Sequence, residues 1–533
     1  MAKQAEGSLV AVYLLVASSA VMAQAPTPAA VDAPASPPRF DIQEYRVLGN
    51  TALAIRDVER AVYPYLGPTK TVADVESARH ALEAAYHDHG FATVFVDIPE
   101  QQVDEGIVRL HVTEGKLRRV EVTGARYFSG REIRSAVPAA TPNTVPHLPT
   151  LQREITALNA QTPDRTVVPV MKAGPAPGTV DLNLKVNDAL PLHGSVELNN
   201  QATPETSSLR AIAALSYDNM FGRLDSLSAQ YQASPEDLGQ VGVFATTYSM
   251  RLNAAGTHLA FLYINSSSDV TTTNVSAGGG SLAVVGKGKI FGTRLLEPLA
   301  YTPSTTQSFT AGLDFKDFTE VVGGFNTPIK YLNLSLDYSG AWREKWYQTG
   351  VDATVNFGAR DLVNRDPEFE NKRFAASASY MYLRASTTFG FKLPKDFTAL
   401  LRLGGQYTVA PLVSNEQYAI GGVDSARGYL EAEDLGDIGI RASAQFGSPQ
   451  LKPFSGRVRL DAYVFYDYAR ASTIDSLPGE PANVQLSSFG SGINLVAFDT
   501  VTGALIWAYP LLEGPAGTRA HVARILFVVR SAW

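Results

Sequence analysis

Beyond Leu190 the chain breaks into segment after segment in which apolar and polar residues alternate. In SLSAQYQ, Leu227, Ala229 and Tyr231 share one face against Ser226, Ser228 and Gln230. FTAGLDFKD sets Phe309, Ala311, Leu313 and Phe315 against Thr310, Gly312, Asp314 and Lys316. YLNLSLDY does the same with Leu332, Leu334, Leu336 and Tyr338, and LLRLGGQY with Leu401, Leu403 and Tyr407 opposite Arg402 and Gln406. Successive side chains of a strand point to opposite faces, so each segment predicts a strand with one apolar side. A half-buried soluble sheet would read this way too. The number of segments decides for a membrane β-barrel, apolar towards lipid and polar inside. At ~11 residues per spanning strand, the stretch to Trp533 holds about 16 antiparallel strands, with short turns on one side and longer loops on the other. The final segment, HVARILFVVRSAW, places Ile525, Phe527, Val529 and Ser531 in an outward row closed by Trp533, with Arg524 and Arg530 facing the lumen.

Ahead of the barrel the period changes. YRVLGNTALAIRDVERAV and VEVTGARYFSGREIRSAV superpose at an offset of 75 residues, with Gly49 on Gly124 and Val58 on Ile133. Each copy predicts a short strand, a glycine turn and an amphipathic helix. The first continues with a helix opened by a Thr71–Asp74 capping box, apolar along Val75, Ala78, Leu82 and Ala85, and stopped at Gly90. Strands FATVFVDI and GIVRLHVTEG follow. The second copy has LQREITALNA, with Leu151, Ile155 and Leu158 inward, and ends on TVDLNLKV. Both units therefore read β-α-α-β-β, over residues 40–115 and 116–188, with the barrel over 189–533. The extreme N-terminus carries an apolar run from Leu9 to Val21 and a small-residue cleavage pattern before Gln24, which predicts an export signal over residues 1–23. Pro26, Pro28, Pro34, Pro37 and Pro38 mark an extended linker over 24–39.

Composition narrows the function. A net charge of -7 argues against a nucleic-acid binder, and the absence of cysteine excludes disulfide scaffolds, thiolate metal sites and cysteine nucleophiles. No H-E-x-x-H, G-x-S-x-G or P-loop pattern occurs. His87 and His89 read as a solvated pair at a helix C-terminus rather than as metal ligands. VVGKGKIFG, at Val284–Gly292, reads as a turn or a side-chain-poor strand and opens no helix. Neither an enzyme nor a cofactor is expected.

The loop SARGYLEAEDLGD, Ser425–Asp437, carries an arginine, a glycine and an aromatic in succession. In VRLDAYVFYDYARA, Leu460, Ala462, Val464 and Tyr466 form the lipid face, so Asp461, Tyr463, Phe465 and Asp467 point inward. A loop around 423–437 folded into the lumen would bring Arg427 to Asp467 in a charge-assisted contact. Gly428 would turn the tip, and Tyr429 would pack beside the pair.

ARGY together with FYDYA, behind two β-α-α-β-β units and before a terminal aromatic, resembles the two-partner-secretion transporters (TpsB proteins) of the haemolysin-activator type. YDNMFGRLDSLSAQY (Tyr217–Tyr231) and PDRTVVPVMKAGPAPGTVDLNLKV (Pro163–Val186) carry the likeness further. The resemblance implies a 16-stranded outer-membrane barrel and two periplasmic POTRA domains. It also implies a loop motif at Arg427, Gly428 and Tyr429, an inner-wall partner at Asp467, and a C-terminal barrel signal at Phe527 and Trp533. The implied partners are a secreted, unfolded exoprotein, outer-membrane lipid and the barrel-assembly machinery. Ala426 stands where the family has valine, and Ala469 where it has glycine. Little but Pro-rich chain is left before Phe40 for the plug helix of many members. Two other functions share parts of this pattern: an assembly factor of the same superfamily, and a porin or receptor for small solutes. Strands GIVRLHVTEG and TVDLNLKV are candidate edges at which a partner strand could add.

Overall fold

The computed structural model describes residues 38–533 apart from 254, 268–272, 278–279, 285, 303 and 323–324. The export signal, the linker as far as residue 37 and the place of a plug helix lie outside the described residues.

In the first repeat, β1 (Phe40–Ile42) and β2 (Glu44–Leu48) lead into α1 (Ile55–Val62). There follow β3 (Gly67–Lys70), which pairs with β1, then α2 (Val72–Asp88), β4 (Val94–Asp97) and β5 (Ile107–Glu114). The second repeat consists of β6 (Lys116–Thr123), α3 (Gly130–Ser135), α4 (Leu148–Asn159), β7 (Arg165–Ala173) and β8 (Thr179–Asp188). Thr71 and Asp74 form the expected capping box at the start of α2. The buried stripe of that helix is Val75, Ala78, Leu82 and Tyr86; the Tyr86 ring fills the last turn and leaves Ala85 only half-buried. In α4, Leu151, Ile155 and Leu158 are buried as expected.

The repeat extends to details. Gly49 and Gly124 sit at φ +89° and +87°, and a Cβ on either would collide with a carbonyl oxygen, that of Val112 or of Val186. A carboxylate at the end of the last strand then gathers the backbone beyond each turn. Glu114 accepts from the N–H groups of Thr51 and Ala52 at 2.6 and 2.7 Å. Asp188 accepts from Arg126, Tyr127 and Phe128 at 2.9, 2.8 and 3.2 Å. Burial pulls the Asp188 carboxyl up, but the three N–H donors hold it below the usual aspartate range. Its folded pKa being depressed, the contribution is complete above the unfolded value and is lost as pH falls through the folded one. Asp188→Asn keeps the shape but loses the charge. It is expected to speed chymotrypsin cleavage at Tyr127 and Phe128 roughly tenfold at neutral pH, the weight of one charge-assisted bond.

The sheets run β2–β5–β4 and β6–β8–β7. GIVRLHVTEG and TVDLNLKV are therefore central strands, not edges. Alternation fixes which side of a strand is apolar and is silent on which neighbours take its backbone bonds. The edges are β2 and β4, and β6 and β7. Helix side chains occupy backbone groups on two of them. On β4, the Val96 N–H donates to Glu83 at 3.1 Å, the Val96 carbonyl accepts from Arg79 at 3.2 Å, and the His87 ring meets the Val94 carbonyl at 3.1 Å. On β7, the Asn159 amide takes both backbone groups of Val167, at 2.7 and 3.0 Å. Capped in this way, these edges are poor templates for a foreign strand.

The remaining chain is the barrel. Its elements are β9 (Leu192–Asn199), β10 (Arg210–Met220), β11 (Asp225–Ala233), β12 (Gly242–Arg251), β13 (His258–Ser266), a side hairpin of β14 (Thr273–Ala277) and β15 (Gly280–Val284), β16 (Gly288–Tyr301) and β17 (Thr305–Val322). Then come β18 (Phe325–Arg343), β19 (Tyr347–Gly358), the short helix α5 (Asp366–Lys372), β20 (Met381–Lys392), β21 (Thr398–Thr408), the short strands β22 (Tyr418–Ile420) and β23 (Asp434–Gly436), β24 (Ile438–Gly447), β25 (Val458–Ser472), β26 (Asn483–Ala497), β27 (Val501–Pro510) and β28 (Arg524–Ala532). Apart from the hairpins β14–β15 and β22–β23, these strands form one closed antiparallel barrel in chain order, sixteen strands with β28 pairing back onto β9. Leu215, Phe291, Leu336, Leu403, Ile493 and Val529 are exposed on the outer wall. Inside, a cavity of about 1500 Å³ is lined by polar and charged groups such as Asp337, Arg384, Arg402, Arg441 and Arg530. An apolar outer wall around a polar interior is the division that lipid outside and water inside impose. The glycine-rich VVGKGKIFG runs into β16, where a Cβ on Gly292 would collide with the Asp314 carboxylate, so part of it is a strand kept bare by its neighbours.

Candidate functional site: a loop tied to the wall of the lumen

Between β21 and β24 the chain leaves the wall for residues 409–437 and folds into the lumen. The segment is longer than the expected 423–437, because Tyr418–Ile420, ahead of it, pairs with β23 and not with a strand of the wall. Together β22 and β23 make a hairpin, and Arg427 stands in its tip.

Arg427 and Asp467 meet as a bidentate pair. Nε lies 2.8 Å from Oδ2 and Nη2 2.8 Å from Oδ1, and the Arg427 backbone N–H donates to Oδ2 at 3.0 Å. Nη2 also donates to Ser443 Oγ at 3.0 Å and Nη1 to Gln445 Oε1 at 3.2 Å, both on β24. The guanidinium carbon lies 3.5 Å from the Phe465 ring centre and 5.8 Å from that of Tyr463. Alternation on β25 delivers all three wall residues to one face: Tyr463, Phe465 and Asp467 are buried while Val464 and Tyr466 are exposed. The two charged side chains are 3 % and 1 % exposed, so water does not screen the pair.

Gly428 takes φ +101°, a conformation that other residues rarely adopt. Tyr429 differs from expectation. The aromatic partners of the pair are Phe465 and Tyr463, and Tyr429 packs instead in a buried cluster with Ala469, Ala471 and Leu486. Its hydroxyl lies 3.0 and 2.8 Å from the carbonyl oxygens of Ser487 and Leu512. Ala469, where glycine is usual in the resembling family, is fully buried in that cluster. At the other end of the wall, Trp533 exchanges backbone bonds with Gly194 at 3.0 and 3.1 Å, and its ring fills the space a Gly194 side chain would take. Phe527 lies opposite Leu505 of β27.

Three further carboxylates tie the loop down, and sequence reasoning passed over all of them. Glu416 accepts from Lys316 Nζ at 2.6 Å and from the hydroxyls of Tyr331 and Tyr382 at 2.5 and 2.7 Å. Asp437 forms a bidentate pair with Arg373, from the connection between β19 and β20, and accepts the N–H groups of Leu412 and Ile474 at 2.9 and 2.7 Å. Glu433 accepts from the Thr518 hydroxyl at 2.6 Å and its N–H at 3.1 Å. Their partners lie 100, 64 and 85 residues away, so no local spacing could have signalled them. The histidine pair is otherwise engaged: His87 as described, and His89 against the Ala85 carbonyl at 2.7 Å.

A family model for the haemolysin secretion/activation protein ShlB/FhaC/HecB matches residues 178–495, and one for the ShlB-type POTRA domain matches residues 40–115. The chain belongs to the haemolysin secretion/activation family. Over 488 residues it is 24% identical to the outer membrane transporter CdiB of Dickeya dadantii, spanning 85% of this chain and 81% of that protein. It is 21% identical over 479 residues to the heme/hemopexin transporter protein HuxB of Haemophilus influenzae, spanning 86% and 81%. Among solved structures, CdiB from Escherichia coli superposes with a TM-score of 0.59 at 17% identity, covering 95% of this chain and 93% of that one, a likeness of fold. As a member of this family the protein is a two-partner-secretion transporter of the outer membrane, with its POTRA domains in the periplasm. Among the described residues no helix is long and apolar enough to cross a membrane, and the crossing is made by strands. Since β9 follows the periplasmic units, the β19–β20, β21–β24 and β27–β28 connections belong to the extracellular end of this family barrel.

Proposed function

We propose that this transporter exports a large exoprotein in an unfolded state, that its POTRA domains over 40–115 and 116–188 capture that partner, and that the Arg427 loop gates the lumen. The observation that carries the gate is the bidentate Arg427–Asp467 pair, buried inside a barrel that the loop otherwise obstructs. No ATP is needed: a chain that folds after leaving the pore cannot slide back, so folding outside biases movement outward. Capture is by strand addition, which reads backbone rather than sequence. The edge is β2 of the first unit or β6 of the second, since helix side chains hold backbone groups of both β4 and β7. Outer-membrane lipid surrounds the barrel, and the barrel-assembly machinery inserts it through the C-terminal strand. Comparing the proteins secreted by a wild-type strain and a strain deleted for this gene tests the reading: one large exoprotein should disappear from the medium.

Phe527 and Trp533 mark that last strand. Trp533→Ala removes the ring over Gly194 at the seam between β28 and β9, a short one of five ladder pairs extended by the Trp533–Gly194 backbone bonds. The variant is expected to accumulate several-fold less heat-modifiable barrel in the outer membrane, read on unheated gels, with its secretion per assembled barrel unchanged.

A further inference from the structure

The tip pair explains one end of the loop and leaves Glu416 without a role. This carboxylate lies in the incoming arm, eleven residues before Arg427, and is 2 % exposed. Its donors come from three wall strands: Lys316 on β17, Tyr331 on β18 and Tyr382 on β20. Lys316 is itself buried, its ammonium 5.6 Å from the Tyr331 ring centre. In the order of the barrel, β17 is the seventh strand and β25, which carries Asp467, the thirteenth. The Glu416 anchor thus draws on the seventh, eighth and tenth strands and the Arg427 anchor, with Ser443 and Gln445, on the twelfth and thirteenth, so the two hold separate stretches of the wall. Between the anchors lie Gly421 and Gly422, at φ +101° and +85°. A side chain on Gly421 would collide with Leu430 and Glu433, and one on Gly422 with Glu431.

We propose that Glu416 is a positioning residue of the gate, a second anchor that holds the base of the loop to the β17–β20 wall while the tip is held by Asp467. A buried carboxylate that accepts an ammonium and two hydroxyls is a strong tether, because each donor would otherwise be stranded without a partner. Two anchors on separate stretches of the wall keep the hairpin in the pore when one of them breaks, and the glycine pair allows the tip to turn while the base stays seated. Full exit needs both to let go, together with the Glu433 contact to Thr518. The inference rests on the reading of this loop as the gate.

The test follows loop position rather than secretion. The chain has no cysteine, so Asp424→Cys, an exposed position next to the tip, gives a single target for a polyethylene-glycol maleimide too large to enter the lumen. Labelling is measured on whole cells, with barrel folding checked by heat-modifiability. Glu416→Ala should raise the labelling rate about tenfold, the effect of losing one set of charge-assisted bonds. Tyr382→Phe removes a single hydroxyl without changing the packing and should raise it a few-fold; it decides the matter if Glu416→Ala fails to fold. Glu416→Ala with Arg427→Ala should exceed either alone. Labelling in Glu416→Ala and Tyr382→Phe equal to that of the parent, with a rise in Arg427→Ala, would overturn the second anchor and leave the gate standing. No rise in any variant, the double included, would overturn both.

Discussion

Arg427→Ala is expected to abolish secretion of the partner while the barrel still inserts and folds. A single exposed ion pair contributes ~1 kcal/mol or less, and its loss would hardly register. This pair is 3 % and 1 % exposed, and Asp467 would be left with neither the guanidinium nor its stacked shield. Stranding one member of a buried pair costs ~3–5 kcal/mol, enough to shift the balance between seated and displaced loop by more than a hundredfold. The barrel is spared because its closure rests on backbone bonds between neighbouring strands, none of which involves the loop tip. Arg427→Lys should recover only part of the activity. An ammonium is a point charge that can neither bridge both carboxylate oxygens nor stack on Phe465. Asp467→Asn should match the alanine variant within a few-fold, since it removes the same charge from the other side. The assay is the amount of exoprotein in the medium, normalised to heat-modifiable barrel. Wild-type secretion by Arg427→Ala would separate this pair from transport.

What could be read in the sequence, and what could not, follows from the range of each interaction. The alternation of β25 was enough to put Asp467 on the inner wall, because a strand sorts its side chains with no help from the rest of the chain. The capping box of α2 and the turns at Gly49 and Gly124 are equally local, and they survive in the structure residue for residue. The order of strands in the small sheets is a different kind of fact. β5 and β8 look like edges because each comes last in its unit, yet each is inserted between two earlier strands. The partners of Glu416, Asp437 and Glu433 depend on how the barrel closes, and a charged residue in a loop looks the same in sequence whether it is solvated or buried. Tyr429 shows a third limit. Its neighbours in the motif suggested a contact with Arg427, but beyond the turn at Gly428 its ring packs further along the inner face of β25, where Ala469 and Ala471 leave room for it.

Gly124→Val is expected to unfold the second POTRA domain and stop secretion while leaving a conducting barrel. A β-branched residue at φ +87° costs ~1–3 kcal/mol in backbone strain, and its Cβ would also collide with the carbonyl oxygen of Val186. That oxygen belongs to a central strand and cannot swing aside, so overpacking adds ~1–3 kcal/mol more. A unit of this size has on the order of 4–10 kcal/mol in hand, so the substitution removes a large share of it and populates the open form under ordinary conditions. Gly49→Val should do the same to the first domain through Val112. Limited proteolysis of the purified protein reads the unfolding, and planar-bilayer conductance reads the barrel. The pair of measurements also bears on the rival functions, since a porin or receptor for small solutes has no use for the periplasmic repeats. If the domains become protease-sensitive, conductance stays at the wild-type level and secretion is lost, the repeats are where the partner is taken up. Normal secretion through a barrel whose periplasmic domains have unfolded would show that capture happens elsewhere, and the strand-addition step would fall with it.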